Sequence, residues 1–418
     1  MRILVSGAGV AGPVLAYWLD HHGFEVTVVE RAPTLRRTGG HAVDLFRPAM
    51  EIVERMGLLP AVQERETGTR LLTVVGAGSE RPVSLDVGRL VIAFSDRHVE
   101  IMRDDLGEIL HGATRDRVEY VFGDSITSLR EDADGVGVTF ETGAPRRFDL
   151  VIGADGVHSN VRGLTFGEES RFAEFVGTYL GVFSLPDHRD LDAEMLAYSD
   201  VGRMAAFYSA AHLDEARAIL LFRSPELDYH HRDVPRQKRL LREAFSGAGW
   251  EVPRLLDEMD ESSAFYFDSI TQIRMDSWSR GRISLVGDAG YSPGAAVGGG
   301  TSLAVVGAYV LAGELAVAGG DHERAFRAYE SELGEYVRHS RELGRKMAKT
   351  LVPDSRFQLW TTMRSTSLLA RLPHGVIRAL AGLRRTGARP HDTIELKDYS
   401  RRERAGHEAE REAGREEA

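Results

Sequence analysis

The chain has 418 residues, 43% of them apolar, and a formal net charge of −11. That length allows a large core and more than one lobe. The acidic surplus argues against nucleic acid as a partner, and the lack of cysteine excludes disulfides, Cys-ligated zinc, thiol nucleophiles and dithiol redox chemistry.

Residues 2–6 (RILVS) form a short apolar run that reads as a buried parallel strand. Residues 12–22 carry Val14, Leu15, Trp18 and Leu19 at helical spacing and close at Gly23; FEVTVVE (24–30) is a second strand. This opening is a βαβ unit. At its first turn stand Gly7, Gly9 and Gly12, with Val10 and Ala11 between the last two. Glycine there permits a tight turn, close backbone approach to a diphosphate and close helix–strand packing. The helix start offers unpaired N–H groups to that diphosphate. Glu30 ends the second strand, where a carboxylate accepts from a ribose 2′-hydroxyl and repels a 2′-phosphate. FAD or NAD is therefore favoured over NADP, and the glycine pattern itself does not separate those two.

Further along, a helix is expected at 47–57, a strand at 71–77 and a helix at 103–113. Strands are expected at 118–122, 125–130 and 136–141, the last two as a hairpin, and DLVIGADG (149–156) reads as strand then turn. FVGTYLGVF, EMLAYS, RMAAFYS and AILLF follow between 172 and 223; strands in a row argue for a mixed or antiparallel sheet inserted into an α/β frame. Residues 236–247 read as a helix. GRISLVGDAG (281–290) is a third strand-then-glycine segment, followed by an apolar helix at 301–318 and an amphipathic one at 322–348. The charged run from 400 reads as solvated or disordered. The glycine run lies too near the start for a secretory signal, and no apolar stretch is expected to span a bilayer. A soluble cytoplasmic protein with no membrane partner is the expectation.

In the late segment Gly287-Asp288 leads into a glycine-rich loop and a helix starting near Thr301. A helix start stabilises the negative charge that a reduced flavin carries on its N1–C2 oxygen edge. Asp288 suits a sugar-alcohol hydroxyl.

With GAGVAG, ADGVHSNVR (154–162) and LVGDAGYSP (285–293) in this order, the chain resembles the FAD-dependent aromatic hydroxylases, or class A flavoprotein monooxygenases, from residue 1 to about 340. GGHAVDLFRPAMEIVERMGL (39–58) and IMRDDLGEIL (101–110) also look like family segments, closest to small hydroxylases of polycyclic phenolic compounds, tetracycline-modifying enzymes among them. The expected fold is α/β: a Rossmann-like FAD-binding domain (1–70, 98–168 and 277–340) with an inserted mixed β-sheet substrate domain (71–97 and 169–276) and C-terminal helices (341–399), then a charged tail (400–418).

The resemblance implies FAD contacts at Gly7, Gly9, Val10, Ala11 and Gly12, at Glu30 and Arg31 on the adenosine side, and at Gly40. Arg103 would reach the ribityl or diphosphate portion and the Ile126 backbone the adenine. Asp155 would sit between the flavin and the nicotinamide approach. Gly287 and Asp288 would hold the ribityl chain, and Gly298, Gly299, Gly300, Thr301 and Ser302 would face the ring. Gly307 departs from the pattern, standing where an Asp is common in the family.

The implied activity uses NADH or NADPH as a transient reductant, then O2, to hydroxylate an aromatic or polycyclic small molecule through a flavin C4a-hydroperoxide. Few fixed acid–base residues and no metal are called for, the chemistry being carried by the flavin. Phe183, Met195, Phe207 and Phe222 are candidate cavity walls, although strand alternation prevents Phe207 and Tyr208 from lining one cavity together. His41, Arg47, Pro293 and Gly294 are candidates to approach substrate or flavin. Three alternatives stay open: a flavoenzyme of the same fold without oxygen insertion, a flavin-binding protein without turnover, and a plain NAD dehydrogenase.

Overall fold

A computed structural model describes residues 1–35, 40–79, 81–92, 94–186, 191, 193–210, 212–213, 215–230, 233–295, 298–371 and 389–399. The expected tail at 400–418 lies outside them. The opening strand Arg2–Ser6, buried at four of its five residues, lies inside a six-stranded sheet. It pairs in parallel with Glu25–Glu30 on one side and Leu150–Gly153 on the other; Leu150–Gly153 in turn pairs in parallel with Ile283–Leu285. Glu119–Phe122 closes one edge and the antiparallel Ser279–Arg280 the other. Strands buried on both faces read as near-continuous apolar runs, as residues 3–5 and 150–152 do.

This order puts the three strand-then-glycine segments side by side with their carboxyl ends together. Ala154 N donates to Ser6 O at 2.7 Å and Val286 N to Gly153 O at 2.8 Å, so each turn is tied to its neighbour. Ligands bind at that end of such sheets.

Helices Ala11–His21 and Gly300–Val317 pack on each other there. Gly287 (φ 67°) sits between them, where a Cβ would stand 3.2 Å from Ala11 Cβ and 3.4 Å from Ala304 Cβ. Contrary to the sequence expectation, Gly300–Val317 is long and apolar enough to cross a membrane, with 18 residues and mean hydropathy 1.5. It is 78% buried within the protein. Neighbours surround it, the thirty-residue helix His322–Leu351 included, and that is what an all-round apolar helix requires.

The inserted sheet has seven strands in the order Phe265–Ile273, Ala173–Pro186, Glu215–Arg223, Arg203–Ser209, Glu194–Asp200, Leu71–Gly76 and Val83–Asp86. It is mixed, since Glu194–Asp200 runs parallel to Leu71–Gly76. Helices Val234–Ala244 and Val252–Glu261 cover one face, packing Leu241, Phe245 and Leu255 on Tyr179, Phe183, Phe207 and Phe222. The other face carries Leu180, Val182, Met204, Leu221 and Tyr266, which meet Ala295 of the late loop, and Tyr208 and Met195, which meet Ala42 and Met102. A short antiparallel ribbon, Ala42–Phe46 with His98–Met102, therefore lies against this inner face.

The expected hairpin forms from Ile126–Asp132 and Gly135–Phe140. After His322–Leu351 comes helix Arg356–Arg371. Residues 389–399 carry no helix, against the expected helical segment through 399. They run as a strap. The Asp392 carboxylate accepts from Ser95 Oγ (2.7 Å) and Asp96 N (3.0 Å), while Lys397 Nζ and Tyr399 Oη both meet Glu314 at 2.9 Å. Those bonds use side chains in place of helical hydrogen bonding.

Candidate active site

The first turn has no room for side chains. Gly7 takes φ 108°, and a Cβ on it would lie 2.5 Å from Ala154 O; one on Gly12 would lie 1.9 Å from Gly7 O. The helix that follows starts at Val10 with no side-chain cap and no acid in its first turn. Its leading N–H groups and partial positive charge therefore remain for an anion. Beside the turn, Glu30 accepts from Ala8 N and Ala32 N, both at 2.8 Å, which fixes its carboxylate across the turn. Arg31 is exposed next to it.

Arg103 opens helix Arg103–Gly112, and its N–H donates to His41 O at 3.2 Å. Its guanidinium reaches back, Nη2 lying 3.9 Å from where a Gly9 Cβ would stand. Among the described residues this guanidinium makes no ion pair. Its charge is felt by Asp104, His41 and Asp288 alike. A free cation over a bare glycine turn and an uncapped helix start is the donor set a diphosphate needs. The residues fit FAD. Gly40 is held by Asp104, its N–H donating to Oδ2 at 3.2 Å.

Burial pushes the Asp288 carboxyl above its usual range, against the pull of Arg103 and a Ser292 hydrogen bond. His41 is pushed down to about 4, by burial first and then by Arg103, with Asp44 opposing. It is neutral at pH 7 and offers hydrogen bonding without charge. Tyr208, fully buried on the inner face, accepts from Ala42 N at 2.6 Å and anchors the His41 turn to the sheet.

At the late loop, Gly298 and Gly299 take φ 81° and 84°, and helix Gly300–Val317 begins without a side-chain cap. Thr301 is half-buried beside them. Ser302 is committed elsewhere: its Oγ accepts from Phe46 N (2.9 Å) and donates to Asp44 O (3.0 Å). Pro293 O accepts from Gln272 Nε2 at 2.8 Å, and its ring lies 3.6 Å from the Cβ position of Gly300; Gly294 takes φ 103°. Gly307 is glycine because Tyr291 Oη lies 1.9 Å from its Cβ position. That hydroxyl is hydrogen-bonded to Tyr329 Oη at 2.8 Å and fills the space an Asp would need.

Several sequence candidates have other work. Asp155 accepts from Ser159 Oγ (2.5 Å) and Val161 N (3.0 Å), shaping the start of helix Asn160–Phe166. The Ile126 carbonyl accepts from Asn160 Nδ2 at 2.5 Å. Phe183, Phe207 and Phe222 face helices Val234–Ala244 and Val252–Glu261, away from the ribbon, and so are core and not cavity wall. Met195, on the inner face with Tyr208, does point to the ribbon side. Arg47 is engaged by the C-terminal residues. It clamps the strap, donating to Asp392 O at 2.8 Å with Asp96 3.3 Å away.

Three participants escaped the sequence reading. Arg162, with no exposed surface, donates to Ala289 O (2.8 Å) and Glu169 (2.6 Å), tying the middle motif to the late one. His391 of the strap stacks on Phe46 (3.9 Å, 8°) and lies 2.5 Å from the Cβ position of Gly299. Tyr266 Oη donates to Asp268 at 2.8 Å on the inner face. Its sheet position was the missing signal, since no strand was read at 265–273. A cavity of about 1100 Å³ opens beside the ribbon, lined in part by Thr67, His98, Glu100, Ala193, Ala210 and Leu213. No metal-binding cluster occurs among the described residues.

Residues 1–347 match the family described as FAD binding domain. This chain belongs to that family, the class A flavoprotein monooxygenases. The flavoprotein is 46% identical over 342 residues to a Mycobacterium tuberculosis protein without a characterised activity, covering 82% of this chain and 92% of that one. It is 38% identical over 373 residues to a flavin-dependent monooxygenase of Legionella longbeachae, covering 89% and 95%. The crystal structure of tetracycline destructase Tet(55) matches with TM-score 0.79 at 35% identity, covering 95% of this chain and 98% of that one. FAD is thus the cofactor of this flavoprotein.

Proposed function

We propose that this flavoprotein hydroxylates an aromatic or polycyclic, polyketide-like small molecule, with NADH or NADPH as transient reductant and O2 as the oxygen source. The observation that carries the reading is the Arg103 guanidinium, which makes no ion pair among the described residues and lies beside Gly9 while acting on both His41 and Asp288. It joins the diphosphate end of the cleft to the end where the inner sheet face begins. FAD supplies, when bound, the acceptance of hydride and the transfer of one atom of O2 to substrate.

The chain's residues hold and shield. The Val10 helix start and Arg103 bind the diphosphate; Glu30 accepts from the adenosine ribose and Asp288 from the ribityl chain. The uncapped start of Gly300–Val317 stabilises the negative charge of the reduced pyrimidine edge. The seven-stranded sheet is the substrate lobe, with Met195, Met204 and Tyr266 excluding water from the transfer. Kinship with a tetracycline destructase supports the polycyclic class.

Glu30→Ala and Asp288→Ala are each expected to weaken flavin retention by about 1–3 kcal/mol, since a sugar hydroxyl loses its acceptor. Visible absorbance after gel filtration measures this; wild-type flavin content in both variants refutes the assignments. For the reaction, phenolic and polycyclic compounds are screened for stimulated NAD(P)H oxidation under isotopically labelled O2. Label in the product supports hydroxylation, whereas turnover without label supports an oxidoreductase that inserts no oxygen.

A further inference from the structure

Helix Arg356–Arg371 follows the region that carries the FAD-binding family match. Its inner side packs on strand Val83–Asp86, and Met363 Cε lies 3.4 Å from the Cβ position of Gly76. Arg89 Nη1 donates to Ala370 O at 3.0 Å near its end. The outer side is unusual. Phe357, Trp360 and Leu368 are 74%, 56% and 63% exposed. With Arg364 and Arg371, also exposed, they recur at helical spacing and form one outward stripe. The Phe357 and Trp360 rings stack at 6.3 Å, and the Arg364 guanidinium lies 5.6 Å from the Trp360 ring. A surface helix ordinarily turns a polar face to water. Moreover, residues 355–391 contain seven arginines and no Asp or Glu, in a chain of net charge −11.

We propose that this helix is the docking face of the protein for an anionic lipid bilayer. Aromatic and leucine side chains seat in the headgroup–acyl boundary, and flanking arginines pair with lipid phosphates. Charge complementarity selects this occupant. In a two-fold pairing of the stripe with a second copy, the arginines of one helix would face a helix that carries no carboxylate of its own. Nucleic acid would satisfy the arginines and leave Phe357 and Leu368 in water. The sequence expectation of no membrane partner rested on spanning segments; a helix that lies on the surface is a different case.

The test uses the FAD-loaded full chain with vesicles of phosphatidylcholine, alone or mixed with phosphatidylglycerol. Co-sedimentation is expected only with the anionic vesicles, and salt should reverse it. Tryptophan emission should shift to the blue on binding, and Trp360→Phe should abolish the shift, because Trp18 and Trp278 are already buried and the half-buried Trp250 packs on Tyr198 and Phe207 of the inserted sheet. The double variant Phe357→Ser with Leu368→Ser, and separately Arg364→Glu, should each weaken binding about tenfold or more with flavin absorbance and turnover in solution unchanged. The proposal is overturned by absence of vesicle binding or by equal binding of these variants. It is also overturned if the same variants instead dissolve a dimer, or if single-stranded DNA is retained and vesicles are not.

Discussion

Gly307 shows how a single departure from a family pattern acquires a physical reason. Its missing side chain is the room for the Tyr291 hydroxyl. Gly307→Ala is expected to destabilise the protein by about 1–3 kcal/mol through overpacking. Adding Tyr291→Phe should recover part of that loss, a non-additivity that thermal melts of the two single variants and the double variant will show. Two buried histidines contribute to the acid limb of stability. His41 and His391 are both lowered from 6.5 to about 4, in each case mainly by burial. Between those values the unfolded chain binds protons that the folded one refuses. Their contribution to stability should therefore fall as pH drops from 6.5, level off below about 4, and be unchanged above 6.5. His391→Gln is expected to flatten that slope in melts taken across the pH range; an unchanged slope would contradict the burial of its neutral form. Glycine positions were legible in the sequence because a turn or a close approach admits nothing else. The partners of Arg47 and His391 were not, because Arg47–Asp392 and Gly299–His391 are contacts between segments far apart in the chain.

Elements were legible where one physical rule dominates. The strands that end at Ser6, Gly153 and Leu285 announce themselves as apolar runs stopped by glycine turns. The ribbon Ala42–Phe46 with His98–Met102 did not, since its strands are short, polar on one side, and paired across more than fifty residues. Helix starts divide by task. Asp321 caps His322–Leu351 by accepting from Arg324 N at 3.1 Å, while the helices opening at Val10 and Gly299 are left bare toward the cleft. Asp321→Ala should lower stability by about 1 kcal/mol with flavin content unaffected, as chemical unfolding and absorbance together will report. Five of the seven strands of the inserted sheet were legible, but both its faces are apolar. Period-two alternation separates Phe207 from Tyr208 without saying which of them meets the helices.

At the scale of the whole molecule, cofactor and fold are linked by mass action. FAD is bound by the folded chain and not by the unfolded one, so added FAD should raise the melting temperature. The gain is about 2.7 kcal/mol when free FAD exceeds its dissociation constant a hundredfold, and a concentration series on refilled apoprotein measures it. The sequence by itself determined the family and the cofactor. Their chemistry is written in local spacings, in glycines next to strands and a carboxylate at a strand end. Tertiary structure alone decided which aromatic residues are core and which face the ribbon. It also decided that Arg47 clamps a strap, that Arg162 joins two motifs, and that helix Arg356–Arg371 turns its apolar stripe outward. Those outcomes depend on what each residue meets across hundreds of positions, and no local period records the neighbour on the far side.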